Sequence, residues 1–340
     1  MKKSVKSIIA IVLCTLLVLS FAACSGKTND PTEASGESSS SAEALKIGVI
    51  QYVSHPSLDN CYKGIEEALK ESGLNYEIDL QIGSDASADA DCSTYAKNMV
   101  AQNYDMIFAI ATPAAISAYS ATEGTDIPVI FCAVSDPVEA KLVETFDAPG
   151  GLCTGTSDLL NLDAQVDLIQ AMQPDVKTIG ILYTTSEPNS ISQLASLKEI
   201  AAQRGLEIDA VGIQNDADIP AAAKALCSRV DCVNNFTDNK VVNNLSILLD
   251  AAKEAGIPVY GSEIEQVNSG CLASVSIDYV ALGKVTGNMA VEIINGADIA
   301  ATAVKKISDA TPVINSDVLA SLGMEMPAAY ADAQTVTTTK

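Results

Sequence analysis

The sequence predicts an α/β protein of two similar Rossmann-like lobes, each a parallel sheet covered by helices, joined by a hinge of several chain crossings. Two observations predict this fold. Apolar, strand-like runs alternate with amphipathic, helix-like runs from Leu45 onwards, and such alternation is typical of right-handed βαβ units. Landmarks of the first half of the chain then recur in the second half. A chain of 340 residues is long enough to give each lobe its own core.

The recurring landmarks are a strand glycine, a threonine that follows a buried strand, and an Ile-Pro-Val triplet. Their order is the same in both halves and their spacing is nearly constant, which indicates two domains of one topology. A solenoid would instead repeat every 20 to 50 residues or so. The pairs are Gly48 and Gly180 at 132 residues, Thr112 and Thr237 at 125, and the triplets starting at Ile127 and Ile257 at 130.

The N-terminus has the pattern of an exported protein. In residues 1–23, three lysines precede a short apolar run, which predicts a secretory signal peptide; the run is short for a transmembrane anchor, the alternative interpretation. Small residues directly before Cys24 resemble a bacterial lipobox, so Cys24 is the expected lipidation site. Residues 24–44 are serine-rich and acidic and predict a flexible tether. We therefore expect a chain held at the extracytoplasmic face of a bacterial membrane by its N-terminal lipid only.

The charge of the chain is strongly negative. Without residues 1–23, which contain three lysines and no acidic residue, 17 basic and 43 acidic residues leave a formal charge of −26. Such a surface favours solubility outside the cell and makes nucleic acids and anionic lipid surfaces poor partners.

Nine cysteines at first suggest a disulfide framework. Cys14 falls in the signal peptide and Cys24 is the lipidation candidate, so an odd number, seven, remains. Several of these lie in apolar runs, where a free cysteine behaves as a small hydrophobic residue. The spacings fit neither a CxxC redox pair nor a zinc site. Buried thiols are the favoured interpretation, and no metal or cofactor is expected.

Each lobe can be assigned its elements from periodicity and from turn residues. After the second unit, an extended stretch leads into a long helix that Asp278 caps and Gly296 ends. The first lobe is predicted to have strands at 46–51, 75–82, 106–110 and 128–134 and helices at 58–72, 93–102 and 114–122. The second is predicted to have strands at 176–183 and 258–260, a strand with its turn at 230–239, and extended stretches at 271–277 and 311–314.

Three crossings are expected between the lobes. The first is the turn and extended stretch at 149–157, and the others are 273–276 and 312–315. This arrangement would return the helix that starts at Tyr279 to the first lobe. The predicted division is therefore 45–157 plus 279–310 for the N-terminal lobe and 158–278 plus 311–335 for the C-terminal lobe.

The junction after the central strand of the first lobe is the predicted binding site. Met106–Ile110 reads as a buried strand, Thr112 as the N-cap of the next helix and Pro113 as its first residue. In an open parallel sheet such junctions line the crevice where ligands bind. A helix N-terminus attracts anions, so Thr112 and the N–H groups of Ala114 and Ala115 are predicted to hold a carboxylate. An ordinary capped helix without a ligand is the alternative.

Acidic residues at the other turns could hold an ammonium group. Asp238 lies at the turn of the second lobe that corresponds to Thr112, although it could simply cap the helix that follows. Asp278 has the same two interpretations. Glu263 is a further acidic candidate, and a solvated loop charge is its alternative.

Several blocks in one order resemble the tryptophan/tyrosine-type substrate-binding lipoproteins of ABC importers, and the similarity runs from Leu45 to Pro327. The resemblance implies a type I periplasmic-binding fold, capture of a free aromatic amino acid (tyrosine, tryptophan or phenylalanine) between the lobes, and delivery to an ABC permease and its ATPase. The blocks are 50–59, 108–115, 133–137, 183–190, 237–239 and 277–279. The ligand positions that the resemblance implies are Gln51, Thr112, Ala114, Ser135, Ser190, Asp238 and Asp278.

One block departs from the family pattern. Residues 233–236 place two asparagines before the turn, where the family has an apolar strand. The side chain of the ligand could be walled by Tyr52 and Tyr183, which fall near strand ends, whereas Phe131 is expected to pack in the core. Tryptophan is absent, which weakens the alternative of a sugar receptor of the same fold.

An enzyme is not expected. His55 is the only histidine, no serine lies in a Gly-x-Ser-x-Gly elbow, and no phosphate-binding glycine loop is present. His55 is instead expected to shape the loop that covers the cleft. The expected molecule is a monomeric receptor that closes about a hinge, and the remaining alternative is a surface adhesin or signalling lipoprotein.

Overall fold

The structure, a computed structural model, describes residues 43–307 and 311–339. The predicted signal peptide, Cys24 and the tether up to residue 42 lie outside the described residues. Among the residues described, no helix is both long enough and apolar enough to cross a bilayer.

The first lobe is a six-stranded parallel sheet with helices on its faces. Its strand order is β11-β5-β4-β3-β1-β2, and every pair is parallel. Apolar side chains of the central strands, such as Ile47, Phe108 and Phe131, are fully buried. The elements are β1 (Leu45–Gln51), α1 (Pro56–Ser72), β2 (Tyr76–Ile82), α2 (Ala88–Ala101), β3 (Met106–Ile110), α3 (Thr112–Ala121), β4 (Val129–Cys132) and β5 (Cys153–Ser157).

The second lobe has a four-stranded parallel sheet and a separate three-stranded sheet. The parallel sheet has the order β7-β6-β8-β9, and the smaller one has the order β10-β12-β13. The elements are α4 (Leu162–Met172), β6 (Thr178–Thr184), α5 (Pro188–Gln203), β7 (Glu207–Ile213), α6 (Ile219–Cys227), β8 (Cys232–Asn234), α7 (Asn239–Asn243), α8 (Leu245–Ala255), β9 (Val259–Tyr260), α9 (Ile264–Ser269), β10 (Ala273–Ser276), α10 (Tyr279–Ile294), β11 (Lys305–Lys306), β12 (Thr311–Asn315), α11 (Ser316–Ser321) and β13 (Gln334–Val336), of which α10 and β11 pack on the first lobe.

The two parallel sheets confirm the duplicated topology. The order β2-β1-β3-β4 in the first lobe corresponds strand by strand to β7-β6-β8-β9 in the second. The repeated glycines, Gly48 and Gly180, have the same structural role. Because neither has a Cβ, a side chain of a neighbouring element can pack directly against the strand. A Cβ at Gly48 would lie 2.4 Å from Met99 Sδ, and one at Gly180 would lie 2.9 Å from Val230 Cγ2.

Helix α10 packs on the first lobe, as the sequence predicts. Its backbone lies so close to α1 that a Cβ at Gly283 would be 2.0 Å from the carbonyl oxygen of Cys61. On the other side of the contact, a Cβ at Gly64 would be 2.1 Å from the carbonyl oxygen of Val280. Two glycines therefore allow two helices to touch backbone to backbone.

Several predictions about local structure are wrong. The stretches 273–276 and 312–315, which were predicted to be crossings, form β10 and β12 of the smaller sheet of the second lobe. Residues 153–157 form β5, a strand of the first sheet, so the first crossing comes after Ser157. Helix α2 begins at Ala88 rather than at residue 93, because Asp91 accepts hydrogen bonds from Ser84 and Ser87 and closes the turn before it. Thr112 is the first residue of α3, and Ala111 is its N-cap.

The prediction for the cysteines is confirmed within the described residues. Cys61, Cys92, Cys132, Cys153, Cys227, Cys232 and Cys271 are all buried and free.

Candidate functional site

A cavity lies between the lobes, at the carboxyl ends of the strands of both parallel sheets. Its cavity volume is about 20 Å³, so the two lobes leave little free space between them in this form. The first lobe lines it with the loops after β1, β3 and β4, and the second lobe lines it with the turns that precede α5, α7 and α9. These are the places where the sequence predicts a ligand.

Hydrogen bonds between the lobes close this cavity. Ser57 Oγ donates to Glu263 Oε2 at 2.5 Å, and Asn60 Nδ2 donates to Glu265 Oε1 at 2.6 Å. On the opposite side, Gln193 Nε2 donates to Ser135 Oγ at 3.0 Å. The structure therefore represents a closed form in which a ligand would be enclosed.

Thr112 lines the cavity, but it does so as the first residue of α3 rather than as its cap. Its side chain is 2% exposed, and its Oγ1 has no hydrogen-bond partner in the protein. Ala111 takes the N-cap position with a φ of 80°, a backbone strain that often accompanies a functional site. A buried hydroxyl without a partner points to a ligand.

The amide groups of this helix are only partly available. The N–H of Ala115 donates to the carbonyl of Ala111 at 3.0 Å, so the prediction that it faces a ligand is wrong. Pro113 has no N–H. The remaining N–H groups of the first turn, at Thr112 and Ala114, lack an acceptor within the helix by its geometry.

Ser135 also lines the cavity, together with a carboxylate that sequence reasoning missed. Ser135 Oγ donates to Asp158 Oδ1 at 2.9 Å, and Tyr279 Oη donates to Asp158 Oδ2 at 2.9 Å. Asp158 is 3% exposed; burial raises its pKa, and the two hydroxyl donors counteract the rise. The available signal was its place directly after a buried strand, which is how β5 ends.

Glu263 is the second acidic residue in the wall. It is 1% exposed, and burial together with the neighbouring Glu265 raises its pKa well above the usual range. The alternative interpretation of Glu263, a loop charge exposed to solvent, is excluded because the side chain is buried. Neither Lys nor Arg lines the cavity.

Asp238 and Ser190 lie behind the wall and do not line it. Asp238 accepts from the N–H and the hydroxyl of Thr184, at 2.6 and 2.8 Å, and from Ser190 Oγ at 2.6 Å. It also accepts from the N–H of Val241 at 3.0 Å, which makes it the N-cap of α7. The neighbours Thr237 and Asn239 are the residues of this turn that face the cavity.

The other predicted positions also lie off the cavity. Asp278 is exposed and caps α10. Gln51 is buried, and its Nε2 donates to Asp59 Oδ1 and to the carbonyl of Val53. Tyr52 is buried in the first core, and Tyr183 is half-buried against the second, so neither lines the cavity.

His55 covers the cavity, as expected. It is the N-cap residue of α1, it lines the wall, and its Nε2 lies 3.3 Å from Asn239 Oδ1 of the opposite lobe. Burial lowers the pKa of His55 to about 4, so the ring is neutral at physiological pH. Its Nδ1 has no partner in the protein.

The remaining polar wall comes from the second lobe. Asn189 lines the cavity, and its Oδ1 is buried without a partner. Glu187 lies next to it, outside the wall, and burial and the nearby charge of Asp238 raise the pKa of Glu187 to about 8. No group of three or more His, Cys, Asp or Glu residues in the described part of the chain is placed to hold a metal ion. The arrangement can bind a small molecule that carries both charge signs.

Comparison with known proteins agrees with this geometry. The family described as ABC transporter substrate-binding protein matches residues 46–335. A tyrosine-binding protein of Clostridioides difficile is 37% identical over 334 residues, which cover 96% of this chain and 94% of that protein.

Two solved structures of similar proteins have 37% identity to this chain. An ABC domain from Streptococcus pneumonia in complex with L-Trp has a TM-score of 0.82 and covers 86% of this chain and 100% of its own. A ligand-free, open substrate-binding protein with adhesive properties from Clostridium difficile has a TM-score of 0.66 and covers 87% of this chain and 100% of its own. The higher score with the ligand complex is consistent with a closed form.

Three observations point to the same family: the duplicated lobes, the cavity that both lobes enclose, and the family match over nearly all of the described chain. The chain belongs to the ABC transporter substrate-binding proteins and has their type I periplasmic-binding fold.

Proposed function

We propose that this chain captures a free aromatic amino acid, tyrosine, tryptophan or phenylalanine, between its lobes and delivers it to an ABC permease. The observation that carries the proposal is the closed cavity, whose wall combines a helix N-terminus, buried carboxyl groups and buried polar atoms without partners. The tyrosine-binding relative and the relative in complex with L-Trp support an aromatic ligand.

The polar groups of the wall suit the two charges of an amino acid. The first turn of α3, with Thr112 and the N–H of Ala114, is the proposed site of the carboxylate. Asp158, supported by Ser135, is the proposed partner of the ammonium group, because it is a buried carboxylate in a wall without Lys or Arg. Among the positions implied by the family, Asp238 acts through Thr237 and Asn239 on either side of it, and Ser190 acts through its hydrogen bond to Asp238.

Isothermal titration with a panel of amino acids and sugars tests this function. We expect binding by at least one aromatic amino acid and none by sugars. Tight binding of a sugar, with no heat from any aromatic amino acid, would contradict the proposal.

Substrate-binding proteins of ABC transporters act outside the cytoplasm. How this chain is held at the membrane there is a proposal. We propose that Cys24 carries the lipid, that residues 24–44 act as the tether, and that the receptor works as a monomer. Changing Cys24 to Ala should move the protein from the membrane fraction to the soluble fraction. Retention of the variant in the membrane fraction would contradict the lipid anchor.

The lobe boundaries are also part of the proposal. We place the N-terminal lobe at 45–157 plus 279–310 and the C-terminal lobe at 158–278 plus 311–335. The separate sheets and cores of the two groups support this division.

Adhesion is a second candidate function, favoured by one observation: the open structure at 37% identity is of a substrate-binding protein with adhesive properties. A cell-attachment assay with the purified protein, with and without its amino acid, would test it.

A further inference from the structure

Glu187 is a buried carboxyl group outside the cavity wall that contacts two residues of the wall. Its Oε2 accepts the backbone N–H of Asn239 at 3.0 Å, Asn239 Nδ2 at 2.7 Å and Asn189 Nδ2 at 3.2 Å. Its Oε1 accepts the backbone N–H of Lys240 at 3.2 Å. An oxygen that accepts three N–H groups carries no proton, so a protonated Glu187 would hold its proton on Oε1 and keep Oε2 as an acceptor.

These contacts fix the orientation of both asparagine amides. Each Nδ2 must face Glu187, so each Oδ1 must point away from it. Asn189 Nδ2 also donates to the carbonyl of Thr237 at 3.0 Å, which favours the same orientation. The Oδ1 of Asn189, a residue of the cavity wall, is then a buried acceptor without a partner.

The orientation of Asn239 sets the tautomer of His55. Asn239 Oδ1 lies 3.3 Å from His55 Nε2, and because Oδ1 only accepts, Nε2 must carry the proton. A neutral imidazole has one N–H, so His55 Nδ1 is an acceptor. This atom is also buried and has no partner.

We propose that Glu187 is a positioning residue that sets the hydrogen-bond polarity of the cavity, making Asn189 Oδ1 and His55 Nδ1 acceptors that select a ligand with N–H or O–H donors. The proposal deepens the proposed function and rests on it. The donors can come from the ammonium group or from the polar hydrogen of the aromatic side chain. A ligand that places oxygen lone pairs at these positions is rejected by unpaired acceptors.

Glu187→Gln tests the proposal, because a glutamine offers one acceptor and two donors in the same volume. Where the new NH2 group faces Asn189 and Asn239, one of their amides must turn over to accept from it. The opposite placement sets the NH2 group against the backbone N–H of Lys240. If Asn189 turns, a donor replaces an acceptor in the wall; if Asn239 turns, His55 must move its proton to Nδ1. Either change reduces the preference for a donor-bearing ligand.

The readout is the ratio of dissociation constants for pairs of ligands. L-tyrosine against its desamino analogue measures the ammonium donor, and L-tyrosine against L-phenylalanine measures the phenol donor. We expect Glu187→Gln to reduce at least one ratio by about tenfold or more. The control is Asn60→Ala, which removes the hydrogen bond to Glu265 between the lobes without removing a charge and should raise all dissociation constants by one common factor. In the variant, the NH2 signals of Asn189 and Asn239 show whether an amide has turned. A common factor for Glu187→Gln when one amide has turned would overturn the proposal.

Two spectroscopic measurements on the wild-type protein test the proposal without the Glu187→Gln variant. His55 is the only histidine, so the 15N spectrum of histidine-labelled, ligand-saturated wild-type protein reports its tautomer directly. We expect a neutral ring with the proton on Nε2; a proton on Nδ1 would overturn the proposal.

The second measurement needs no ligand, because Glu187, Asn189 and Asn239 belong to the same lobe. The side-chain NH2 signals of both asparagines should shift as Glu187 titrates. If no aromatic amino acid binds, the proposed function fails, but these signals still test the role of Glu187. NH2 signals of Asn189 and Asn239 that do not shift as Glu187 titrates would overturn the proposal.

Discussion

Thr112 and Asp158 show how single residues make the cavity a binding site. Thr112 was predicted from its sequence context, but its role as a cap was wrong, because the strained Ala111 takes that position and leaves the hydroxyl free. Asp158 was missed because the stretch before it was assigned to a crossing rather than to β5. Ser135 and Asp158 are 23 residues apart in the chain, and a local sequence pattern does not predict a contact over that separation.

Thr112→Val should weaken ligand binding about 10-fold to 100-fold, since a hydrogen bond to a charged group contributes roughly 1.5 to 3 kcal/mol. Folding stability should change little, because the hydroxyl has no partner in the protein. Titration calorimetry and thermal unfolding measure the two effects.

The matched control is Thr122→Val at the other end of α3, where the hydroxyl donates to the carbonyl of Tyr119. This change should lower stability by about 1 kcal/mol and leave affinity unchanged. Equal affinities of Thr112→Val and the wild type would contradict the role of Thr112.

His55 should make binding weaker in acid. Burial in the closed form lowers the pKa of His55 to about 4, below its ordinary value, so protonation of the ring disfavours the closed form as the pH falls towards 4. Through His55, the dissociation constant should rise as the pH is lowered from 7.5 to 5. Glu263 contacts Ser57 across the lobes and has a raised pKa, so it acts in the opposite direction and favours the closed form at low pH.

The contribution of His55 can be isolated with His55→Gln, whose Nε2 can still donate to Asn239. Affinity should be measured for both proteins from pH 7.5 to pH 5. The affinity of the wild type should fall more steeply with decreasing pH than that of the variant. Parallel profiles would show that His55 does not titrate on closure.

At the scale of elements, periodicity predicted the central strands well, missed β7 and misassigned β5, and gave the helix contacts only in outline. Met106–Ile110 was assigned with the observed bounds, because a run of five buried apolar residues between turn signals has few other interpretations. The close contact of α1 with α10 depends on Gly64 and Gly283, which lie far apart in the chain. No local pattern marks such a pair.

Gly283→Ala should therefore lower the free energy of unfolding by about 1 to 3 kcal/mol, because the new methyl group would overlap the carbonyl oxygen of Cys61. Asn288→Ala, at an exposed position of α10, is the control and should stay within about 0.5 kcal/mol of wild type. Denaturant unfolding measures both. Equal stabilities would contradict the backbone contact between the helices.

At the scale of the whole molecule, duplication was the most informative signal in the sequence. It predicted two lobes and facing junctions, and the cavity lies between those junctions. The pairing of Thr112 with Asp238 was only partly right, since Thr237 and Asn239, on either side of Asp238, face the cavity instead. Which residue of a turn points inward depends on backbone angles that composition does not determine.

Closure on ligand binding should be visible in solution. Small-angle scattering should show a smaller radius of gyration when the amino acid is added, because contacts such as Ser57 to Glu263 form only when the lobes meet. Asn60→Ala should need more ligand for the same compaction. An unchanged radius at saturation would contradict hinge closure.

The most direct test of the central claim is a crystal structure of the protein saturated with an aromatic amino acid. The ligand should be enclosed between the lobes, with its carboxylate at the first turn of α3 and its ammonium group at Asp158. A ligand bound outside this cavity, or one bound with its two charged groups reversed, would contradict the claim.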